Sequence, residues 1–286
     1  MRARRTLIAG AGSAILAAVA LTASPAGAKA ATAPSGIRAP YAEVANAASG
    51  GILWDASPQA RVPMGSITKV MTAYVVIRAG NLGRLITVPK GITAYDKKYG
   101  GSTAGLKPGQ KLTARQLLYA MLIPSGCDAA YTLAQAYGPG QRGFIAKMNA
   151  AAAGLGLPGT HFTDPSGLPD PTETSTYSTA GDLVALGRDA MSLPLFATIV
   201  ATAKHHVAQA KGEHPAYAWK TSNPLLGHYA GTTGIKTGDT QAAGDCLLFE
   251  ARRDGVPVIG VVLDEKSWKA ATRDAKSLLN YGFASS

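Results

Sequence analysis

Hydrophobic and polar positions along the chain change their rhythm several times, and each change marks an element. Residues 7–21 form one uncharged, small-residue apolar run, shorter than the ~20 residues that span a bilayer. Residues 41–55 read as two short strands around a turn at 47–51, where Ser49-Gly50-Gly51 is turn chemistry. Residues 66–78 carry apolar side chains nearly all round (Ile67, Val70, Met71, Tyr74, Val75, Ile77), which predicts a buried helix that Gly80 terminates. Residues 81–112 are mixed and loop-rich. Thr113 and Gln116 form a capping box that opens a helix through Leu122. Pro124-Ser125-Gly126 breaks it, and helix resumes over 128–137 and again over 142–155. Residues 156–177, rich in Pro, Gly and Thr, predict a long loop, after which Ser178 or Thr179 caps a helix reaching Met191.

Beyond Lys236 the period becomes two. Residues 245–252 and 256–263 are strands joined at Asp254-Gly255, a strong hairpin signal. A closing helix over 269–281 turns Leu278, Leu279 and Tyr281 towards the core. Strands and a helix come first, helices follow, and strands and a helix close the chain. That order predicts an α/β (α+β) fold: one antiparallel sheet completed by both chain ends, flanked by helices, with a largely helical subdomain. The expected division is a leader at 29–38 and a single domain at 39–286. Within it the sheet part covers about 39–88 and 200–286, and the helical part about 89–199. No internal repeat is present, and no anchor helix or second domain is expected after Phe283.

The N-terminus changes the picture of where the protein works. Arg2, Arg4 and Arg5 precede the apolar run, and Ala26-Gly27-Ala28 supplies a cleavage site, with Ala28-Lys29-Ala30 as a second choice. Residues 1–28 are therefore expected to be a secretory signal peptide and the mature protein to be extracytoplasmic. Arg4-Arg5 raises a twin-arginine route, although its flanks match that signal weakly. Cleavage after Ala28 removes three arginines and no acids, lowering the net charge from +11 to +8. A basic exported protein suits an anionic envelope surface. Nucleic-acid binding would need a basic cluster interleaved with aromatics, and none is seen. The two cysteines, Cys127 and Cys246, are too few for a disulfide framework and are expected as free thiols.

Three short motifs carry candidate chemistry. In Ser66-Ile67-Thr68-Lys69 the serine and lysine lie one helical turn apart on one face. Lys69 would accept the Ser66 proton if burial and a second cation held it neutral. The bland alternative is a capped helix with a solvated lysine, which the apolar surroundings of Lys69 oppose. Ser125-Gly126-Cys127 sits in a helix break, where the Ser125 hydroxyl could relay a proton; standing alone it reads better as an ordinary Pro-Ser-Gly turn. Lys236-Thr237-Gly238, followed by Asp239, offers a cation and a hydroxyl to a substrate carboxylate. Gly238 would leave room for a peptide added to the strand edge, though an edge lysine can also merely discourage aggregation.

In this order the three motifs resemble the penicillin-binding and serine β-lactamase superfamily. Residues 117–130 (Leu-Leu-Tyr-Ala-Met-Leu-Ile-Pro-Ser-Gly-Cys-Asp-Ala-Ala), 160–168 (Thr-His-Phe-Thr-Asp-Pro-Ser-Gly-Leu) and 177–183 (Tyr-Ser-Thr-Ala-Gly-Asp-Leu) are similar to D-alanyl-D-alanine carboxypeptidases. The resemblance spans roughly residues 40–284. Cys127 departs from the usual S-x-N and is similar to a secreted low-molecular-mass DD-transpeptidase branch reading S-G-C. A thiol hydrogen-bonds more weakly than an asparagine amide, and the sequence neighbours Gly126 and Asp128 supply no cation to activate it.

The resemblance implies a penicillin-binding/β-lactamase-like fold and an acyl-enzyme on Ser66. Lys69 would be the base and Ser125 the proton carrier. Lys236 and Thr237 would hold the carboxylate, and the Ser66 and Asp239 N–H groups the oxyanion. Cys127 and Gly238 fall in the substrate-binding set. It implies peptidoglycan stem peptides ending in D-Ala-D-Ala as substrate, β-lactams as covalent inhibitors, and a monomer without cofactor or metal. The competing readings are a serine β-lactamase, for which the loop offers only Glu173 as a deacylating carboxylate, and a non-catalytic β-lactam or muropeptide sensor. His205-His206 with Glu213-His214 fits no zinc spacing.

Overall fold

The computed structural model describes residues 33–286. The expected signal peptide (1–28) and residues 29–32 of the leader lie outside them. The described chain starts with the hairpin β1 (Tyr41–Asn46) and β2 (Ile52–Ala56), then a 3-10 turn (Gly65–Thr68) that runs straight into α1 (Lys69–Ala79). A short ribbon of β3 (Leu85–Thr87) and β4 (Lys111–Thr113) brackets α2 (Ile92–Tyr99). Helices α3 (Ala114–Leu122), α4 (Cys127–Tyr137), α5 (Gly140–Gly154), α6 (Ala180–Met191) and α7 (Pro194–Val200) follow. A second ribbon, β5 (Lys204–Val207) with β6 (Tyr217–Lys220), leads to the long strands β7 (Thr232–Thr240), β8 (Gly244–Arg253) and β9 (Val256–Glu265). Helix α8 (Trp268–Ser285) closes the chain.

The five-stranded antiparallel sheet runs β2-β1-β9-β8-β7, so both ends of the chain complete it as expected. The N-terminal strand pairs with the last one from Tyr41↔Leu263 to Asn46↔Val258. The β8–β9 hairpin turns on Asp254 (φ 49°) and Gly255 (φ 82°), both left-handed as a type I′ turn requires. Alternation sends Cys246 and Leu248 into one core and Leu247 and Phe249 into another. Ala271, Ala275, Leu278 and Leu279 of α8 cover the second core, while α1 and α6 belong to the first. Burial on both faces explains why β8 and β9 read as nearly continuous apolar runs. Strand β7 is left at the sheet edge, and its flank meets the 3-10 turn.

The predicted capping box is present: Thr113 Oγ1 accepts from Gln116 N (3.1 Å), and Gln116 Oε1 accepts from Thr113 N (2.7 Å). Thr179 caps α6 through Asp182 N (3.1 Å), and Gly80 (φ 73°) ends α1. Both cysteines are free and buried. Among the described residues no single helix is long and apolar enough to cross a membrane.

Candidate active site

The first motif sits where the 3-10 turn becomes α1. Ser66 is only partly buried, while Gly65, Ile67, Thr68 and Lys69 around it are fully buried. Lys69 Nζ donates to Ser66 Oγ (2.6 Å), Cys127 Sγ (3.3 Å) and the Ser166 carbonyl (3.1 Å). A solvated lysine on a capped helix is thereby ruled out: this amine is enclosed and pointed at the one hydroxyl of the turn that reaches solvent.

The second motif links α3 to α4. Ser125 adopts φ 66°, a left-handed conformation that costs a non-glycine residue about 1–3 kcal/mol and needs support from its surroundings. That support is local: Gly126 N donates to Ala120 O (3.2 Å), and Cys127 N to Ser102 O (2.7 Å). The turn aims Ser125 Oγ at Lys236 Nζ, 2.9 Å away. Cys127 faces the other way and packs with Tyr95 and Leu168. Its cation comes from Lys69 on a different element, which its sequence neighbours did not reveal. Burial nevertheless raises the thiol pKa, outweighing Lys69, and keeps the sulfur a weak partner.

The third motif lies on β7. Lys236 is not an edge lysine exposed to solvent; it is buried, and its Nζ donates to Ser125 Oγ, Thr237 O (2.9 Å) and Thr237 Oγ1 (3.3 Å). Burial, and then the Lys69 charge, push its pKa well below the usual lysine range. Thr237 Oγ1 also meets Ser222 Oγ at 2.7 Å. Gly238 serves a different purpose from the one expected. A Cβ there would lie 2.3 Å from Met64 O and 2.9 Å from the N atoms of Ser66 and Ile67, so the space is taken by the 3-10 turn. On the other side, a Cβ on Gly65 would meet Asp239 N at 2.6 Å. The N–H groups of Ser66 and Asp239 therefore flank the same junction. Ser102, Ser125, Ser222, Pro224, Thr237, Asp239 and Trp268 line a cleft of about 220 Å³ beside it.

The structure thus brings Ser66, Lys69, Ser125, Cys127, Lys236, Thr237, Gly238 and Asp239 to one place. A model of the D-alanyl-D-alanine carboxypeptidase family matches residues 27–267. The chain belongs to that family. It is 40% identical over 282 residues to a D-alanyl-D-alanine carboxypeptidase of Streptomyces sp. strain K15, covering 95% of each chain. It is 36% identical over 244 residues to D-alanyl-D-alanine carboxypeptidase DacB2 of Mycobacterium tuberculosis, covering 84% of this chain and 81% of the relative. The crystal structure of the Streptomyces K15 DD-transpeptidase superposes with a TM-score of 0.84 at 39% identity, covering 88% of this chain and all of that one. The fold is the mixed α/β architecture of penicillin-binding DD-transpeptidases.

Several parts of this carboxypeptidase-family site were not read from the sequence. The segment 163–168 supplies the carbonyl that receives Lys69. Asp164 holds it by accepting from Ser166 N (2.7 Å), Leu168 N (3.0 Å) and the Tyr95 hydroxyl (2.7 Å). Gly167 (φ 82°) is pressed against the turn; a Cβ there would sit 1.9 Å from Gly65 O. The Asp-Pro-Ser-Gly string was visible as a turn, but a turn does not announce which lysine its carbonyl will meet. Ser222 and Trp268 come from a loop and a helix start with no motif of their own. Glu173 stands exposed and does not line the cleft. Of the histidines considered for metal, His205 stacks on Tyr119 (3.8 Å between ring centroids), and His214 Nδ1 lies 2.8 Å from Pro215 O.

Proposed function

We propose that Ser66 is the nucleophile of a serine-type D-alanyl-D-alanine carboxypeptidase/transpeptidase that acts on peptidoglycan stem peptides and is acylated by β-lactams. The observation that carries this reading is the 2.6 Å contact between Lys69 Nζ and the partly exposed Ser66 Oγ, joined by a second lysine–serine contact, Lys236 Nζ to Ser125 Oγ at 2.9 Å. Lys69 takes the Ser66 proton as Oγ bonds to the penultimate D-Ala carbonyl carbon. The N–H groups of Ser66 and Asp239 carry the developing oxyanion. Ser125 passes a proton to the departing nitrogen as the C–N bond breaks, and Lys236 with Thr237 holds the terminal carboxylate. Water or an amine then attacks the ester carbonyl and returns the proton to Ser66. Cys127 gives Lys69 a weaker partner than an amide would, so the hydrolytic water is poorly held. An amine acceptor therefore competes well, and transfer outweighs hydrolysis when one is present. A class A β-lactamase deacylates through a glutamate-activated water. Glu173 is too far out to serve that role, which favours the peptidase reading.

The chain is exported through residues 1–28 and works as a monomer, residues 39–286 forming its single peptidase domain. Ser66→Ala in the mature protein is expected to abolish covalent labelling by a fluorescent penicillin while circular dichroism stays unchanged. Labelling that continues at the wild-type rate would remove Ser66 from this role.

A further inference from the structure

Side chains alternate along β7. Lys236 and Gly238 face inward, to Ser125 and the 3-10 turn, whereas Thr237 and Asp239 line the cleft. Asp239 is exposed, and of the residues lining the cleft it alone carries a charge. No cation lies within 4 Å of it, the ion pair at that range among the described residues being Arg273–Asp274 on α8; its charge reaches Lys236 only from further off, where it opposes the downward pull of burial on that lysine's pKa. Positions two apart on a strand face are separated by about 6.5–7 Å. A carboxylate gripped by Lys236 and Thr237 therefore lies within one Debye length of the Asp239 carboxylate, in a cleft where protein displaces part of the solvent. Trp268 lines the same cleft, and an indole face tolerates a cation far better than an anion.

We propose that Asp239 tunes the choice of acceptor in the cleft, shifting it away from amines that bring a carboxylate and towards acceptor amines that lack one. This rests on the acyl-enzyme reading given above. The acceptor enters the place the leaving D-Ala vacates, so both meet the same charge. The released D-Ala, an amine with its own carboxylate, is a weaker acceptor for the reverse reaction than it would be without Asp239. A primary amine on an amidated residue or at the end of a side chain is a good one. Asp239 in this way offsets part of the hold that Lys236 and Thr237 have on a carboxylate-bearing amine, and leaves an amine without one unaffected. Its backbone N–H and its side chain act on different atoms, the first on the oxyanion and the second on the neighbouring amine.

The test uses the mature protein and its Asp239→Asn form, which keeps the shape and removes the charge. Each receives one D-Ala-D-Ala donor and an equimolar mixture of glycinamide and glycine as acceptors, and the two transfer products are measured. The intrinsic difference between the two amines cancels in the comparison. The expected result is a glycinamide-to-glycine product ratio about fivefold lower in the Asn form at low salt, with the difference shrinking in 1 M NaCl. A purely structural role would lower both products alike and leave the ratio unmoved, which would overturn the assignment. A wild-type protein that forms no acyl-enzyme with either the donor or a penicillin would instead overturn the function and this inference with it.

Discussion

Lys236 occupies a position where its charge is hard to keep. Its ammonium has lost its water, and Lys69 stands nearby with the same sign. An arriving carboxylate reverses both effects, since it supplies the opposite charge and accepts hydrogen bonds. On the proposed reading, a bound free C-terminus would restore the charge that burial disfavours on Lys236, beside the Ser125 hydroxyl proposed to carry a proton. Lys236→Ala is expected to slow acylation by a donor with a free carboxylate at least about tenfold more than by the same donor amidated. That factor corresponds to one charge-assisted hydrogen bond of about 1.5–3 kcal/mol. Stopped-flow acylation of both donors gives the ratio, and equal losses would exclude Lys236 from carboxylate binding. Much of this site could be read at the level of single residues, because Ser66, Lys69, Ser125, Lys236 and Thr237 belong to motifs whose internal spacing is itself the chemistry. Cys127 could not be read in the same way. Its partner Lys69 is 58 residues away, and only the fold makes them neighbours.

At the scale of elements, the proposed chemistry depends on how β7 lies against the 3-10 turn. The junction is backbone on backbone: Gly238 opens the strand to Met64 O and the Ser66 and Ile67 N atoms, and Gly167 closes the turn from the far side. None of these atoms is the end of a flexible side chain, so an added methyl must displace a main chain. Gly238→Ala is expected to reduce penicillin labelling of Ser66 by about a hundredfold while costing about 1–3 kcal/mol of stability. Labelling rate and thermal unfolding check the two halves separately. Wild-type labelling in a folded variant would show that the junction yields without harm to the oxyanion N–H pair. The long elements were legible because α1, β8, β9 and α8 bury whole faces, and a buried face writes its period into the sequence. The ribbons β3–β4 and β5–β6, of three and four residues per strand, are too short to show a period, and α7 has only seven residues. Helix α2 was hidden for another reason: it buries only Ile92 and Tyr95 and exposes a polar remainder.

The whole molecule stores carboxyl groups in its sheet that the reaction does not use. Glu43 of β1 is buried; burial first, then the Asp55 and Asp182 carboxylates, raise its pKa to about 7. Glu265, at the end of β9, is buried against Asp274, which itself accepts from the Arg38 and Ala39 N–H groups where the described chain joins α8. Burial, and then Asp274, raise its pKa to about 7 as well. Both glutamates ionise near 4.5 in an unfolded chain. Between about 4.5 and about 7 the folded protein therefore holds protons that the unfolded chain has released, and stability falls as pH rises through that window. Above it both states are ionised and these two groups add no further slope. Each carboxyl contributes at most about 1.4 kcal/mol per pH unit. Burial of Asp96, whose pKa rises to about 6, adds at the acid end. Glu43→Gln and Glu265→Gln remove the titration and keep the shape, so each is expected to flatten the decline, and the double variant to flatten it most. Urea unfolding at pH 5, 6 and 7.5 measures the slope for all four proteins. A wild type that gains stability over this range, or variants with its full slope, would show that these glutamates are already ionised in the fold. Because neither residue lines the cleft, the variants separate the pH dependence of stability from that of acylation.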